Sequence, residues 1–272
     1  MAIVSMSCYS KALCRPTEIR LALPVDVRPG APRCEASYAR PPKLMVLLHG
    51  YTGSCNDYLY SSPMHDLAQC FNLVIACPSG ENSFYLNQPG TGRAYGDYVG
   101  DELVCMLRDA YRVDDAPGSA LIAGFSMGGF GALHVGLSHP EHFGQIVALS
   151  SALITYQVAN MRPGEATNAL ADYDYYASTF GDPAQVLSSR NHPETLVREQ
   201  LAAGVKLPEL FMACGTEDFL LEPNRRFRDF LLSQGIPVSY HESPGVHDGV
   251  FCNRYLDIGV RWALRNETGE RT

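Results

Sequence analysis

The chain has 272 residues, 46% of them hydrophobic and 18% charged, with a formal net charge of −8. That length and apolar fraction suffice for one large α/β domain with a sizeable core. The acid excess, with no basic stripe, leaves nucleic-acid binding without an electrostatic basis, and no window approaches the ~18 apolar residues that a membrane span needs.

The nine cysteines are scattered and form no C-x-x-C pair. Cys77, Cys105 and Cys214 fall in apolar runs. This usage reads as reduced, mostly buried small hydrophobes of a cytoplasmic protein, and no metal site or cofactor is expected. Residues 1–11 do not read as a signal peptide, because their apolar part is too short and no A-x-A site follows.

Along the chain, Thr17 to Pro24 alternates polar and apolar residues, as a half-exposed strand does. Residues 25–42, rich in Pro, Gly and Arg, read as a loop or hairpin connection. Leu44-Met45-Val46-Leu47-Leu48 is a continuous apolar run, the mark of a strand covered on both faces. It leads into His49-Gly50-Tyr51-Thr52-Gly53. A short helix over 61–71 precedes a second buried strand, Leu73 to Pro78. The polar and aromatic loop that follows, Ser79 to Tyr85, fits a pocket lining and a surface turn equally well. Asp97 to Tyr111 has helical spacing, with Val99, Leu103, Met106, Leu107 and Ala110 on one stripe.

Ser119 to Ala123 is the next apolar strand. It runs into Gly124-Phe125-Ser126-Met127-Gly128, a single G-x-S-x-G, and then into a helical run from Gly129 to Leu137. Strand, sharp turn and helix are the setting in which this pentapeptide presents a serine as nucleophile. Gln145 to Leu149 is a further strand. Residues 152–205 break the rhythm with Tyr156, Tyr173, Tyr175, Tyr176 and Phe180 among Gly, Asn, Asp and Pro; they read as an irregular insertion forming a lid or pocket wall. Leu207 to Gly215 is a strand, Pro223 lies in the first turn of a helix, Pro237 to His241 is the last strand, and a helix over about 250–264 closes the chain. The alternation predicts a mostly parallel central sheet covered by helices on both faces, in a single domain over 1–272, with its site at the carboxyl ends of the strands.

A serine hydroxyl needs a base within hydrogen-bond reach and an acid to orient that base. In this kind of sheet the chain order is serine, acid, histidine. Of the eight histidines, only His247 lies in the loop after the last strand. His49 is expected to shape its own loop, and His134 is about two helical turns beyond the serine. For the acid, Asp218 is preferred. Its neighbour Glu217 would point the other way, and Glu222 starts the next helix, where a carboxylate complements the dipole. Asp248 is adjacent to the base and is expected to tie down its loop. The backbone N–H groups of Tyr51 and Met127 are the candidate oxyanion donors. The implied chemistry is two-step acyl transfer from an ester through an acyl-enzyme.

These segments carry a resemblance. Tyr9 to Leu13, Leu47 to Gly53, Pro78 to Tyr85, Gly124 to Gly129, Cys214 to Leu220 and Gly245 to Asp248 together resemble the esterase-D-like branch of the α/β-hydrolases, in particular its bacterial tributyrin esterase-like members. That group includes acetyl- and feruloyl-type esterases, with S-formylglutathione hydrolases as more distant relatives. The resemblance implies the same triad and oxyanion donors, and a small-molecule ester as partner. Phe84, Tyr85 and Phe219 are counted as candidate substrate contacts. One departure is the segment Gly249 to Asn253, where such proteins usually carry tryptophan. The leading expectation is a serine carboxylic ester hydrolase for short-chain, acetyl or hydroxycinnamoyl esters. The alternatives are a thioesterase of the S-formylglutathione type and a non-catalytic carbohydrate-binding relative. Homo-oligomerisation is left open.

Overall fold

The computed structural model describes residues 2–27, 29–168 and 171–268. Eight strands form its main sheet: β1 (Ala2–Ser10), β2 (Arg15–Leu23), β3 (Lys43–Leu48), β4 (Leu73–Pro78), β5 (Ala120–Phe125), β6 (Phe143–Leu149), β7 (Glu209–Gly215) and β8 (Val238–Ser243). Their order across the sheet is β1-β2-β4-β3-β5-β6-β7-β8. The pairs β1/β2 and β2/β4 are antiparallel, and every later pair is parallel. The expected mostly parallel sheet is therefore present, with an antiparallel hairpin at one edge.

The helices used below are α1 (Met64–Phe71), α2 (Leu103–Tyr111), α3 (Met127–Ser138), α4 (Tyr173–Phe180), α5 (Pro193–Ala202), α6 (Leu221–Ser233) and α7 (Gly249–Ala263). Side chains alternate across a strand, and β3 shows why its apolar run is unbroken. Leu44, Val46 and Leu48 enter one core with Val99, Leu103, Phe130 and Leu231. Met45 and Leu47 enter a second core with Leu67, Phe71, Phe251 and Leu256. Helices α2, α3 and α6 thus cover one face of the sheet, and α1 and α7 cover the other. Every residue of β5 except the last is buried, as a strand covered on both faces requires.

Three sequence expectations are corrected. The chain begins with a strand, β1, that its sequence did not announce. Its residues alternate between half-buried and exposed, but Ile3 and Tyr9 lie on the exposed side, which blurs the polar–apolar alternation. The helix expected over 97–111 is broken into Tyr95–Asp97, a π-helical turn Tyr98–Glu102, and α2. The wider turn rotates the apolar stripe, so Val104 is buried while Ala110 is exposed. The cysteines are all free thiols, but only Cys55, Cys77, Cys214 and Cys252 are buried, and Cys105 is exposed.

Residues 152–205, of which 169 and 170 lie outside the described residues, carry α4, α5, shorter helical turns and a small ribbon. Val158, Tyr176, Phe180, Leu196 and Val197 are buried and continue the core on the α3 side of the sheet.

Candidate active site

The β5–α3 junction sets the geometry. Ser126 has φ 60° and ψ −120°, a conformation that costs a non-glycine residue strain and persists only where the surroundings enforce it. The enforcement comes from close backbone packing. A Cβ on Gly124 would lie 2.2 Å from the Gly128 carbonyl oxygen, and one on Gly128 would lie 2.1 Å from that of Leu48. Strand and helix can pass this closely only with glycine at both places. The Ser126 N–H donates to the Leu149 carbonyl, and its own carbonyl accepts from the N–H groups of Phe130 and Ala152. The turn is thereby tied to its own helix, to β6 and to the first residue of the insertion.

Ser126 Oγ lies 2.9 Å from His247 Nε2. His247 Nδ1 lies 2.8 Å from Asp218 Oδ2. The three residues singled out from chain order thus form one hydrogen-bonded relay at the carboxyl ends of β5, β7 and β8. With Nδ1–H donating to the carboxylate, Nε2 is the nitrogen able to accept the serine proton. The Asp218 carboxylate is fully buried. Burial alone would raise its pKa, but the hydrogen bonds from His247 and the Leu220 N–H outweigh that and hold it below the usual carboxylate value. Two aromatic rings bracket the imidazole: Phe125 at 4.5 Å between centroids and Phe219 at 4.7 Å.

The loop after β3 lies against the serine. Met127 is the first residue of α3, so its N–H belongs to the first turn, where no intrahelical carbonyl is available. Tyr51 and Ser126 line the same cavity. His49 plays the loop-shaping part expected of it. Its Nε2 accepts the Gly80 N–H at 2.9 Å, which leaves the proton on Nδ1, 2.8 Å from the Gly50 carbonyl oxygen. Burial pushes its pKa down, so it stays neutral.

The cavity has a volume of about 670 Å³ and opens at Ser126. Phe84 and Phe219 line it, as expected. Tyr85 does not. It is fully buried, and its hydroxyl donates to the His49 carbonyl at 3.0 Å. The chain turns left-handed at both Phe84 and Tyr85, so the two rings diverge, one to the cavity and one to the core.

Several contributors could not be read from the sequence. Glu217 does point away from the relay, but its Oε2 accepts the Gly245 N–H at 2.6 Å and holds the loop that carries His247. Asn224, fully buried on α6, accepts from the Ser151 N–H and donates to the Ser151 carbonyl. Asp248, by contrast, restrains its own loop as the sequence led one to expect, as the N-cap of α7 accepting from the Phe251 N–H at 2.9 Å. Away from the site, ligand-type atoms of Asp101, Cys105 and His142 lie within 4.8 Å of one another. There Arg108 donates to His142 Nδ1 and turns Nε2–H toward Asp101, so these groups already satisfy each other by hydrogen bonding.

An elbow serine in a doubly covered parallel sheet, hydrogen-bonded to an imidazole, defines the class of α/β-hydrolases. The comparisons agree. The family model described as "Putative esterase" matches residues 10–249, and the chain belongs to that esterase family. An acetyl esterase of Caldicellulosiruptor saccharolyticus is 37% identical over 262 residues, covering 96% of this chain and 98% of that protein. FphF, a fluorophosphonate-binding serine hydrolase of Staphylococcus aureus, matches with a TM-score of 0.82 at 22% identity, covering 96% of this chain and 97% of its own. The S-formylglutathione hydrolase FrmB from the same organism matches at 0.80 and 23%, covering 96% and 98%. The structural likenesses carry the fold, and family and relative carry the activity. The protein is a carboxylesterase-type serine hydrolase acting on small-molecule esters. No helix among the described residues is long and apolar enough to cross a membrane.

Proposed function

We propose that Ser126, His247 and Asp218 are nucleophile, base and orienting acid in the hydrolysis of small acyl esters. The observation that carries this is the continuous chain of hydrogen bonds from Ser126 Oγ through both nitrogens of His247 to Asp218. His247 Nε2 takes the serine proton as Oγ attacks the ester carbonyl. The buried Asp218 carboxylate stabilises the imidazolium that forms. The tetrahedral oxyanion is received by the N–H groups of Tyr51 and Met127, the latter at the positive end of α3. The imidazolium then protonates the leaving alcohol, and His247 activates water to release the acid and restore the serine.

The acyl group is small. The 37% identical acetyl esterase supports acetyl esters. The cavity volume of about 670 Å³ and its aromatic wall of Tyr51, Phe84 and Tyr176 also support a hydroxycinnamoyl group. Residues 152–205 act as a pocket wall. Leu153, Ile154, Tyr156, Gln157 and Tyr176 face the cavity while their segment is rooted in the core by Phe180 and Leu196.

The test is Ser126→Ala assayed on para-nitrophenyl acetate. Turnover is expected to fall by at least about 10⁴-fold with an unchanged circular dichroism spectrum. A folded variant that retains activity excludes Ser126 as the nucleophile.

A further inference from the structure

The wall of the cavity is chemically mixed. Tyr51, Phe84, Leu153 and Leu220 give it an apolar part, and Tyr156, Gln157, Glu222 and Arg226 give it a polar one. Arg226 lies on α6, eight residues beyond Asp218, and its Cζ sits over the Tyr156 ring, 3.1 Å from the centroid. The ring fixes the guanidinium while leaving the side chain 56% exposed.

The charges around it are unevenly shared. The carboxylate closest to Arg226 is Glu194, at 3.9 Å, beyond hydrogen-bond range. Glu194 is already engaged: it accepts from the Tyr156 hydroxyl at 2.9 Å and from Arg198 at 3.1 Å. Glu222, the other acid on the wall, is 78% exposed and bonded to Arg225 at 2.8 Å. Arg225 in turn is held by both oxygens of Glu242. Each acid thus has a closer cation than Arg226, whose own ion pair with Glu194 is long at 3.9 Å.

We propose that Arg226 is a specificity-determining residue that selects esters carrying a carboxylate away from the scissile carbonyl. This rests on the reading of the cavity as the ester site. A guanidinium held over an aromatic ring presents paired donors to a carboxylate without ordering a flexible chain first. Arg226 and Ser126 line the same cavity, whose apolar side chains accommodate the body of the substrate. The carboxylate belongs either to the acyl group, as in a dicarboxylic hemiester, or to the alcohol, as in an ester of a hydroxy acid.

Two matched pairs separate these sources: para-nitrophenyl hemisuccinate against para-nitrophenyl butyrate, and para-acetoxybenzoate against its methyl ester. For each pair the ratio of kcat/KM, charged over neutral, is measured for the wild type and for Arg226→Gln and Arg226→Lys. In one pair the ratio is expected to fall about tenfold in Arg226→Gln and to be partly restored in Arg226→Lys; the pair that responds locates the carboxylate. Raising the salt from about 0.05 to about 0.5 M should lower the same ratio in the wild type, because a half-exposed charge is screened. This reading holds even if the variants fold poorly. Ratios unmoved by both substitution and salt overturn the proposal and leave the esterase reading standing. Failure of the wild type to hydrolyse any of the four esters overturns both.

Discussion

The relay of three side chains depends on one tautomer. Asp218 accepts from His247 Nδ1, and the Leu220 N–H holds the other carboxylate oxygen at 2.8 Å. Asp218→Asn keeps the shape but offers a donor where an acceptor is needed, so the imidazole is no longer held with Nε2 free to accept from Ser126. The expected loss in kcat is about 10³–10⁴-fold, with little change in KM, read from steady-state kinetics on a short-chain ester. Glu217 shows that the adjacent position has a different task. It braces the backbone at Gly245, so its effect on rate would come through the placement of His247 rather than through proton transfer.

At the scale of elements, α3 is nearly uniformly buried, and this has a consequence for pH. His134 on this helix stacks against Phe130 with an interplanar angle of 9°. Its Nε2 lies 3.1 Å from the Arg190 carbonyl oxygen, and its Nδ1 is buried without a hydrogen bond among the described residues. Burial pushes its pKa down to about 4. In the unfolded chain the ring takes a proton near pH ~6.5, so between these values protons favour unfolding. The contribution is complete above pH ~6.5 and is lost as pH falls toward about 4, a change of ~3 kcal/mol. Urea unfolding at about pH 7 and about pH 4.5 should show a smaller loss for His134→Gln than for the wild type. The elements also show what a sequence can reveal. The apolar run of β3 was legible because both faces are buried, and the elbow was legible because its glycines mark backbone contact. His247 was legible because chain order leaves one histidine after the last strand. The edge strand β1 was hidden by its outward Ile3 and Tyr9. Asn224, Glu217 and Arg226 were hidden because their partners, Ser151, Gly245 and Tyr156, become neighbours only once the sheet has formed.

At the scale of the whole molecule, the far end of the chain is fastened to the entry of the central strand. Glu267 bonds Arg40 at 2.6 Å, Lys43 at 2.8 Å and Ser37 at 2.9 Å, with its side chain 17% exposed. Burial alone would raise the Glu267 pKa, but these three donors outweigh it and set it below its ordinary value. The stabilisation is therefore present above pH ~4.5 and is lost as pH falls through the lowered pKa. Glu267→Gln leaves two cations without their carboxylate and is expected to cost about 1–3 kcal/mol at neutral pH, measured by urea unfolding, with a smaller difference from the wild type in acid. The spacing of the hydrogen-bonded pair Ser126 and His247 matters in time as well as in space. Ser126 and His247 are separated by 121 residues. At the usual pace of synthesis, Ser126 is added to the chain roughly ten seconds before His247, its proposed base. During that interval the elbow residues are only a glycine-rich stretch with an ordinary alcohol. With the roles proposed above, reactivity is thereby withheld from the nascent chain until β8 and the His247 loop are added.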